Sequence, residues 1–414
     1  MLNKGLFAQH GKALLEIGVV SAFGIFATAG FQIVASRGLG PSGFGLLASF
    51  LAIINVAAVG SAALRSSIAV VTSESVALGT TPPQVRRRLD TSMIEALVLG
   101  GICTVALLGA SSWLTTSLET NSLALILTAA TVLPYFLFSR AQGLLQGTGD
   151  SRSVVLWTSG SQIAQLALTV IALALGLGAI GILGVILLIA VLGTVGSSYQ
   201  ARRFYIPTTR RPFSVDSSVV LLLTIAFAWL TNADVILVRS GTSELVAGSF
   251  AAAAVLVKTT LILPATLSLY LLPRFVNRRD DASMTKLGVN MTLGLTFLSG
   301  AAMFLLVLLA GGPLVRVLFG PGYELAIVYL PWLALMWLPW AMSLAVLVRI
   351  TAAASKAGLV VLIIAAAAQW AGATSLLPDV AAMMIFNGSL GVLTLAALFS
   401  IHLARTRSPG KISA

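Results

Sequence analysis

Val154–Gln200 reads VVLWTSGSQIAQLALTVIALALGLGAIGILGVILLIAVLGTVGSSYQ and contains no Asp, Glu, Lys or Arg. A helix needs about 20 apolar residues to cross the roughly 30 Å hydrocarbon core of a bilayer. The stretch predicts two transmembrane helices, at 154–175 and 180–200, reversed by the short turn GLGA. The whole chain has this character. Its 414 residues are 58% hydrophobic and 9% charged, with a mean hydropathy of +1.00. Soluble domains carry about 25% charged residues. Backbone polar groups in lipid must be satisfied within the protein, which leaves helices or a closed barrel. Long runs of Leu, Ala, Ile and Val, in place of short alternating strands, decide for helices.

Working outward, spans are predicted at 14–36, 43–64, 93–112, 121–139, 154–175, 180–200, 218–239, 245–272, 287–310, 323–346, 357–376 and 379–402. The net charge of +12 does not form one patch, as a nucleic-acid surface would require, so no nucleic-acid partner is expected. It falls instead in short clusters between apolar runs. One set of loops holds 21 of the 25 Lys and Arg residues, including Arg65, Arg86–Arg88, Arg140, Arg152, Arg202, Arg203, Arg349 and Lys356. The alternate loops hold Arg37, Arg239 and Arg316, and Lys258 is left inside a span. Basic residues favour cytoplasmic loops, so both termini are expected in the cytoplasm. No cleavable signal peptide is evident, and the first span is expected to serve as the insertion signal. The loop 311–322, with Arg316 between apolar residues, is expected to lie along the membrane interface.

The first outer hairpin, Val34–Gly45 (VASRGLGPSGFG), parallels Ile236–Ala247 (ILVRSGTSELVA) at an offset of 202. Ser151-Arg152 and Ser355-Lys356, Pro134 and Pro339, and Gln165 and Gln369 pair at nearly the same offset. A common offset points to duplication. Six spans is an even number, so the halves face the same way, as in transporters built from parallel repeats. The expected fold is an all-α membrane protein of about twelve transmembrane helices. They would form two parallel six-helix lobes around a central cavity, 1–200 and 217–414, joined by a basic cytoplasmic linker at 201–216.

Four segments carry a family resemblance: ASRGLGPSGFGLLASF (35–50), LLQGTGDSR (144–152), NADVILVRSGTSELVAGSFAAA (232–253) and VRVLFGPGY (315–323). Together they resemble bacterial polysaccharide exporters. The chain is similar through nearly its whole length to the lipid-linked oligosaccharide flippases of the multidrug/oligosaccharidyl-lipid/polysaccharide (MOP) superfamily. The resemblance implies transport of an undecaprenyl-pyrophosphate-linked oligosaccharide from the inner to the outer leaflet by alternating access. Cavity cations would hold the pyrophosphate, with coupling to an ion gradient or the membrane potential and no bound cofactor. Membrane lipids, and glycosyltransferases or a polymerase of the same pathway, are the implied partners, and the bacterial inner membrane the implied location.

Charged groups within a span cost roughly 2.5–3.5 kcal/mol at the helix centre on insertion scales, so those present are candidates. Lys258 lies about twelve residues into the eighth span. It is either a cation for a diphosphate or half of a structural ion pair. Asp234, the acid well inside the seventh span, either binds a coupling cation or pairs with Lys258. Reaching Lys258 would bridge a depth difference of about 10 Å at 1.5 Å per residue. Asn232 and Arg239, seven apart, are expected on one helix face with Asp234 elsewhere. Arg37 and Arg239 either receive phosphate at the outer mouth or anchor to headgroups. Arg65, Arg140 and Arg349 either attract an anionic headgroup at the inner side or set topology. Thr158, Gln162, Gln165 and Thr169 share one face of the fifth span, suited to sugar hydroxyls or to interhelical hydrogen bonds. Trp332, Trp337 and Trp340 are expected as interfacial anchors more than as sugar-stacking rings.

Enzymatic activity is not expected. There is no nucleotide-binding Gly-x-x-x-x-Gly-Lys motif, no nucleophile or metal motif, and the single Cys103 rules out an intrachain disulfide. A membrane glycosyltransferase, polymerase or ligase would need acid–base groups on a sizeable outer loop, and those loops are short. A small-molecule antiporter of the same superfamily is the other alternative.

Overall fold

A computed structural model describes residues 4–77, 90–202, 215–261 and 282–407. Among these residues every regular element is helical. The elements are α1 (Lys4–Ala77), α2 (Thr91–Gly109), α3 (Ser111–Ser117), α4 (Ser122–Gly147), α5 (Ser151–Ala174), α6 (Gly178–Ala201), α7 (Val215–Leu230), α8 (Ala233–Gly241) and α9 (Glu244–Val257). A 3₁₀ turn (Lys258–Leu261) then precedes α10 (Ala282–Leu318), α11 (Glu324–Ala352), α12 (Lys356–Leu376) and α13 (Val380–Arg407).

Among the described residues, eleven segments are long and apolar enough to cross a membrane, and the first, Gly18–Glu74, has 57 residues. At 1.5 Å per residue it measures about 85 Å, more than two bilayer cores. It bends at Gly40 (φ 65°, ψ −179°), a left-handed conformation that glycine adopts without a Cβ clash, followed by Pro41. Counted as two spans, it brings the total to the expected twelve. The seventh span is α7 with α8, and the described part of the eighth is α9 with the 3₁₀ turn. The rest of the segment predicted at 245–272 and the basic cluster 274–279 lie outside the described residues, as do 203–214 and Arg86–Arg88.

Short polar residues start the helices. Asp90, Asn121, Asp150 and Ser355 each accept a hydrogen bond from a backbone amide in the first turn that follows. Asp379 does the same for Ala382 at 3.0 Å. These caps satisfy amides that have no partner within the helix. One expectation fails here. The loop predicted at 311–322 is helical as far as Leu318, with Pro313 and Arg316 inside α10. Membrane helices tolerate Gly and Pro because their surroundings satisfy the freed backbone groups, so Gly311-Gly312-Pro313 bounds no element.

The chain groups into two compact units. One comprises Met1–Leu39 with Ala57–Ser214, the other Gly40–Val56 with Val215–Ala414. Gly40–Val56 thus groups with the residues from Val215 onward. In the first unit, Leu64 and Ile68 of α1, Ala96 of α2 and Val132, Phe136, Leu144 and Leu145 of α4 form a dense cluster. In the second, Phe44, Leu47, Phe50, Tyr323, Trp337 and Trp340 are fully buried. Phe44 lies 6.4 Å from both Phe319 and Tyr323, ring to ring. A Cβ at Gly45 would stand 2.8 Å from the Gly248 amide nitrogen, and one at Gly248 would collide with the Pro41 carbonyl. Phe26, Ile102, Val105, Leu309, Ile385 and Leu393 are exposed. Such an outward apolar surface suits lipid and would be untenable in water.

Candidate functional site

A break in one helix of the second unit and a change to 3₁₀ winding in its neighbour make the site. The seventh span breaks at Thr231-Asn232, between α7 and α8. Asn232 leaves helical geometry (φ −126°, ψ −21°). Its amide donates back to Ala228 O at 2.8 Å. Gln369 of α12 donates to Leu230 O, the last carbonyl of α7, at 3.0 Å, and to Asn387 Oδ1 of α13 at 3.2 Å. The break is thus held by side chains that replace lost helical hydrogen bonds. It also corrects the expected face shared by Asn232 and Arg239, because no continuous helix joins them.

Asp234 follows in the first turn of α8, its side chain fully buried. In the eighth span, α9 gives way to the 3₁₀ turn at Lys258. Lys258 Nζ donates to Asp234 Oδ1 at 2.8 Å, and the lysine side chain is 18% exposed. The ammonium also sits over the Trp337 ring of α11, 4.7 Å from its centroid, a cation–π arrangement. The carboxylate lies near the backbone amides of Asp234 and Val235, but Asp234 Oδ2 accepts no hydrogen bond. Trp337 and Trp340 are both 0% exposed, so neither is the interfacial anchor expected; Trp332, 60% exposed, fits that role. The inward ring positions are set by packing of α11 against α9 and α13. Trp340 Nε1 donates to Asn387 O at 3.1 Å.

The two duplicated outer arginines differ. Arg239 is 5% exposed and donates to Glu244 Oε1 across the α8–α9 turn at 2.8 Å, so it is not free to snorkel to headgroups. Arg37 is exposed. Five residues beyond it stands Ser42, where the second copy has Glu244. Arg349 is half-buried in the last turn of α11.

The first unit holds a separate polar chain. Arg65 Nη1 donates to Gln142 Oε1 at 3.1 Å, and Gln142 Nε2 donates to Thr158 Oγ1 at 2.8 Å. Thr158 therefore serves interhelical bonding. Gln162, one turn further along α5, carries its Oε1 against the backbone of Gly24. Gln165 is half-buried and Thr169 is buried. Arg140 bonds both oxygens of Asp90, at 3.2 and 3.0 Å. The sequence reading missed Asp90 as its partner, along with Gln142, Asn387 and the ring of Trp337 under Lys258. A polar Thr231-Asn232 pair inside an apolar span was the one signal that could have exposed the break.

No protein-family model and no curated protein sequence matches the chain. Solved structures do. A multidrug resistance MATE family transporter of the MOP superfamily, inward-facing, is similar over 94% of this chain and 96% of its own, at 16% identity and TM-score 0.69. The lipid II flippase MurJ, inward closed, is similar over 93% and 87%, at 13% identity and TM-score 0.66. A MOP superfamily transporter from Pyrococcus furiosus covers 99% of each chain at 16% identity and TM-score 0.57. The chain has the fold of the MATE and MurJ proteins, both of the MOP superfamily.

Proposed function

We propose that this chain is a flippase that carries an undecaprenyl-pyrophosphate-linked oligosaccharide from the cytoplasmic to the outer leaflet of a bacterial inner membrane by alternating access. The observation that carries the reading is Lys258. It is a partly exposed lysine inside a candidate span, held between a carboxylate and an indole face, where one helix is broken and the next changes to 3₁₀ winding. Interrupted helices supply substrate and ion sites in membrane transporters, and a charge inside a span is retained for function. In this reading Lys258 engages the diphosphate and Asp234 couples transport to a cation. Arg37, Arg239, Arg65 and Arg349 attract the anionic headgroup along its route, and Gln162 and Gln165 meet the sugars. Both termini are cytoplasmic, and pathway glycosyltransferases or a polymerase are the partners.

Depletion of the protein should leave lipid-linked oligosaccharide in the inner leaflet while its synthesis continues. Normal appearance in the outer leaflet would refute the reading. Lys258→Gln should slow transfer by about tenfold or more, one hydrogen bond to a charged group being worth roughly 1.5–3 kcal/mol, with protein still present in the membrane. The fold shared with a multidrug transporter keeps a second reading, a small-molecule antiporter. Efflux of cationic drugs with unaltered lipid transfer would favour it.

A further inference from the structure

Two buried ion pairs among the described residues, Arg140–Asp90 and Lys258–Asp234, are built differently. Asp90 accepts four hydrogen bonds: from Ser92 Oγ at 2.8 Å, from the Met93 amide at 2.7 Å, and from Arg140 Nη2 on both oxygens. Arg140 Nε also holds Ser92 Oγ at 2.8 Å, closing the ring of contacts. Every part of that carboxylate has a partner, which is what a buried ion pair needs to be stable. Asp234 has Lys258 on Oδ1 and no hydrogen bond on Oδ2, although it is fully buried. Lysine has three N–H donors, and one is given to Asp234. Its side chain is partly exposed, and its ammonium also lies over the Trp337 ring. The lysine also stands where α9 becomes 3₁₀. The Asp90 pair is a lock, and the Asp234 pair is half-made.

We propose that Lys258 exchanges partners: an incoming diphosphate takes the ammonium from Asp234, and the released carboxylate takes up one proton from the aqueous phase. This rests on the reading of Lys258 as the diphosphate ligand. A buried carboxylate that loses its cation tends to neutralise rather than remain charged. Among the described residues, the other charged groups on the packed elements, Arg316 of α10 among them, stand in first or last helical turns. Arg239 and Glu244 bond each other at the outer turn. Glu324 and Arg349 terminate α11, and Lys356 begins α12. Anion binding and proton binding would then be one event on one unit of the chain.

The test is calorimetric titration of the full-length protein in nanodiscs with farnesyl diphosphate. It is run in buffers of different ionisation enthalpy, at a pH where the diphosphate is fully ionised. The wild type should take up close to one proton per diphosphate bound. Asp234→Asn should bind more tightly, by on the order of tenfold, the modest end of what a buried ion-pair partner is worth, and with no proton uptake. Lys258→Gln should lose binding. Wild-type binding without proton uptake overturns the exchange, and needs no variant to fold. Unchanged affinity in Asp234→Asn overturns it as well. Unchanged binding in Lys258→Gln instead overturns the underlying assignment of Lys258 to the diphosphate.

Discussion

Lys258 and Asp234 are both visible in the sequence because a charge inside an apolar run stands out, and the cost of placing it there is a reason to expect a partner. Their pairing at 2.8 Å needed more. The depth argument left about 10 Å between them at 1.5 Å per residue. It assumed two continuous α-helices, whereas the seventh span breaks before Asp234 and the eighth turns 3₁₀ at Lys258. Trp337 was visible as a residue and not as a partner, because indoles in a span are common at interfaces and the inward face of α11 is fixed only by its neighbours. Arg239 shows the same limit, with its buried state owed to Glu244. A double-mutant cycle should find Asp234 and Lys258 coupled by about 1.5–3 kcal/mol, the range for hydrogen bonds to charged groups. Asp234→Asn, Lys258→Gln and the double variant, followed by thermal unfolding in detergent, supply the measurement. Additive losses would show the pair to be energetically empty. In the first unit, Gln142→Leu removes the link between Arg65 and Thr158. It should destabilise by about 1–3 kcal/mol, because Arg65 is left with unsatisfied donors.

At the scale of elements, glycine and proline carried unequal information. Gly40-Pro41 marks a true break, with φ 65° at the glycine. Gly311-Gly312-Pro313 looks equivalent in sequence and lies within α10. The difference lies in packing and not in composition. Thr231-Asn232 breaks a helix without any glycine or proline, because Gln369 and the Asn232 amide take over carbonyls that the helix releases. Glycines also divide by what surrounds them. Gly248 abuts the backbone of Pro41, which cannot move aside as a side chain can, while Gly101 of α2 faces open space. Gly248→Val should therefore lower the unfolding temperature and impair activity. Gly101→Ala should leave the fold intact or stabilise it by up to about 1 kcal/mol, the helix-propensity gain of alanine. Equal behaviour of the two variants in a thermal-shift assay would contradict the close crossing.

For the whole molecule, the span count and helical class follow from hydropathy alone. The assignment of Gly40–Val56 to the second unit did not follow, because it depends on which apolar faces meet, and Leu- and Ala-rich faces look alike in sequence. Orientation is testable with single cysteines, since Cys103 is the one native thiol. In a Cys103→Ala background, Thr120→Cys should react with an impermeant maleimide on intact cells. Thr148→Cys should react only after permeabilisation. The reverse pattern would invert the topology. The grouping of Gly40–Val56 also sets an order of events during synthesis. Gly45 is made 203 residues before Gly248, against which it packs. At 5–20 residues per second the nascent segment waits roughly 10–40 s for its partner. Phe44, Leu47 and Phe50 can spend that interval in lipid at no loss. The charged contacts join residues much nearer in the chain, 24 apart for Asp234 and Lys258 and 50 apart for Asp90 and Arg140. Groups that the bilayer tolerates are left to wait for distant partners, and those that it penalises are matched within seconds of leaving the ribosome.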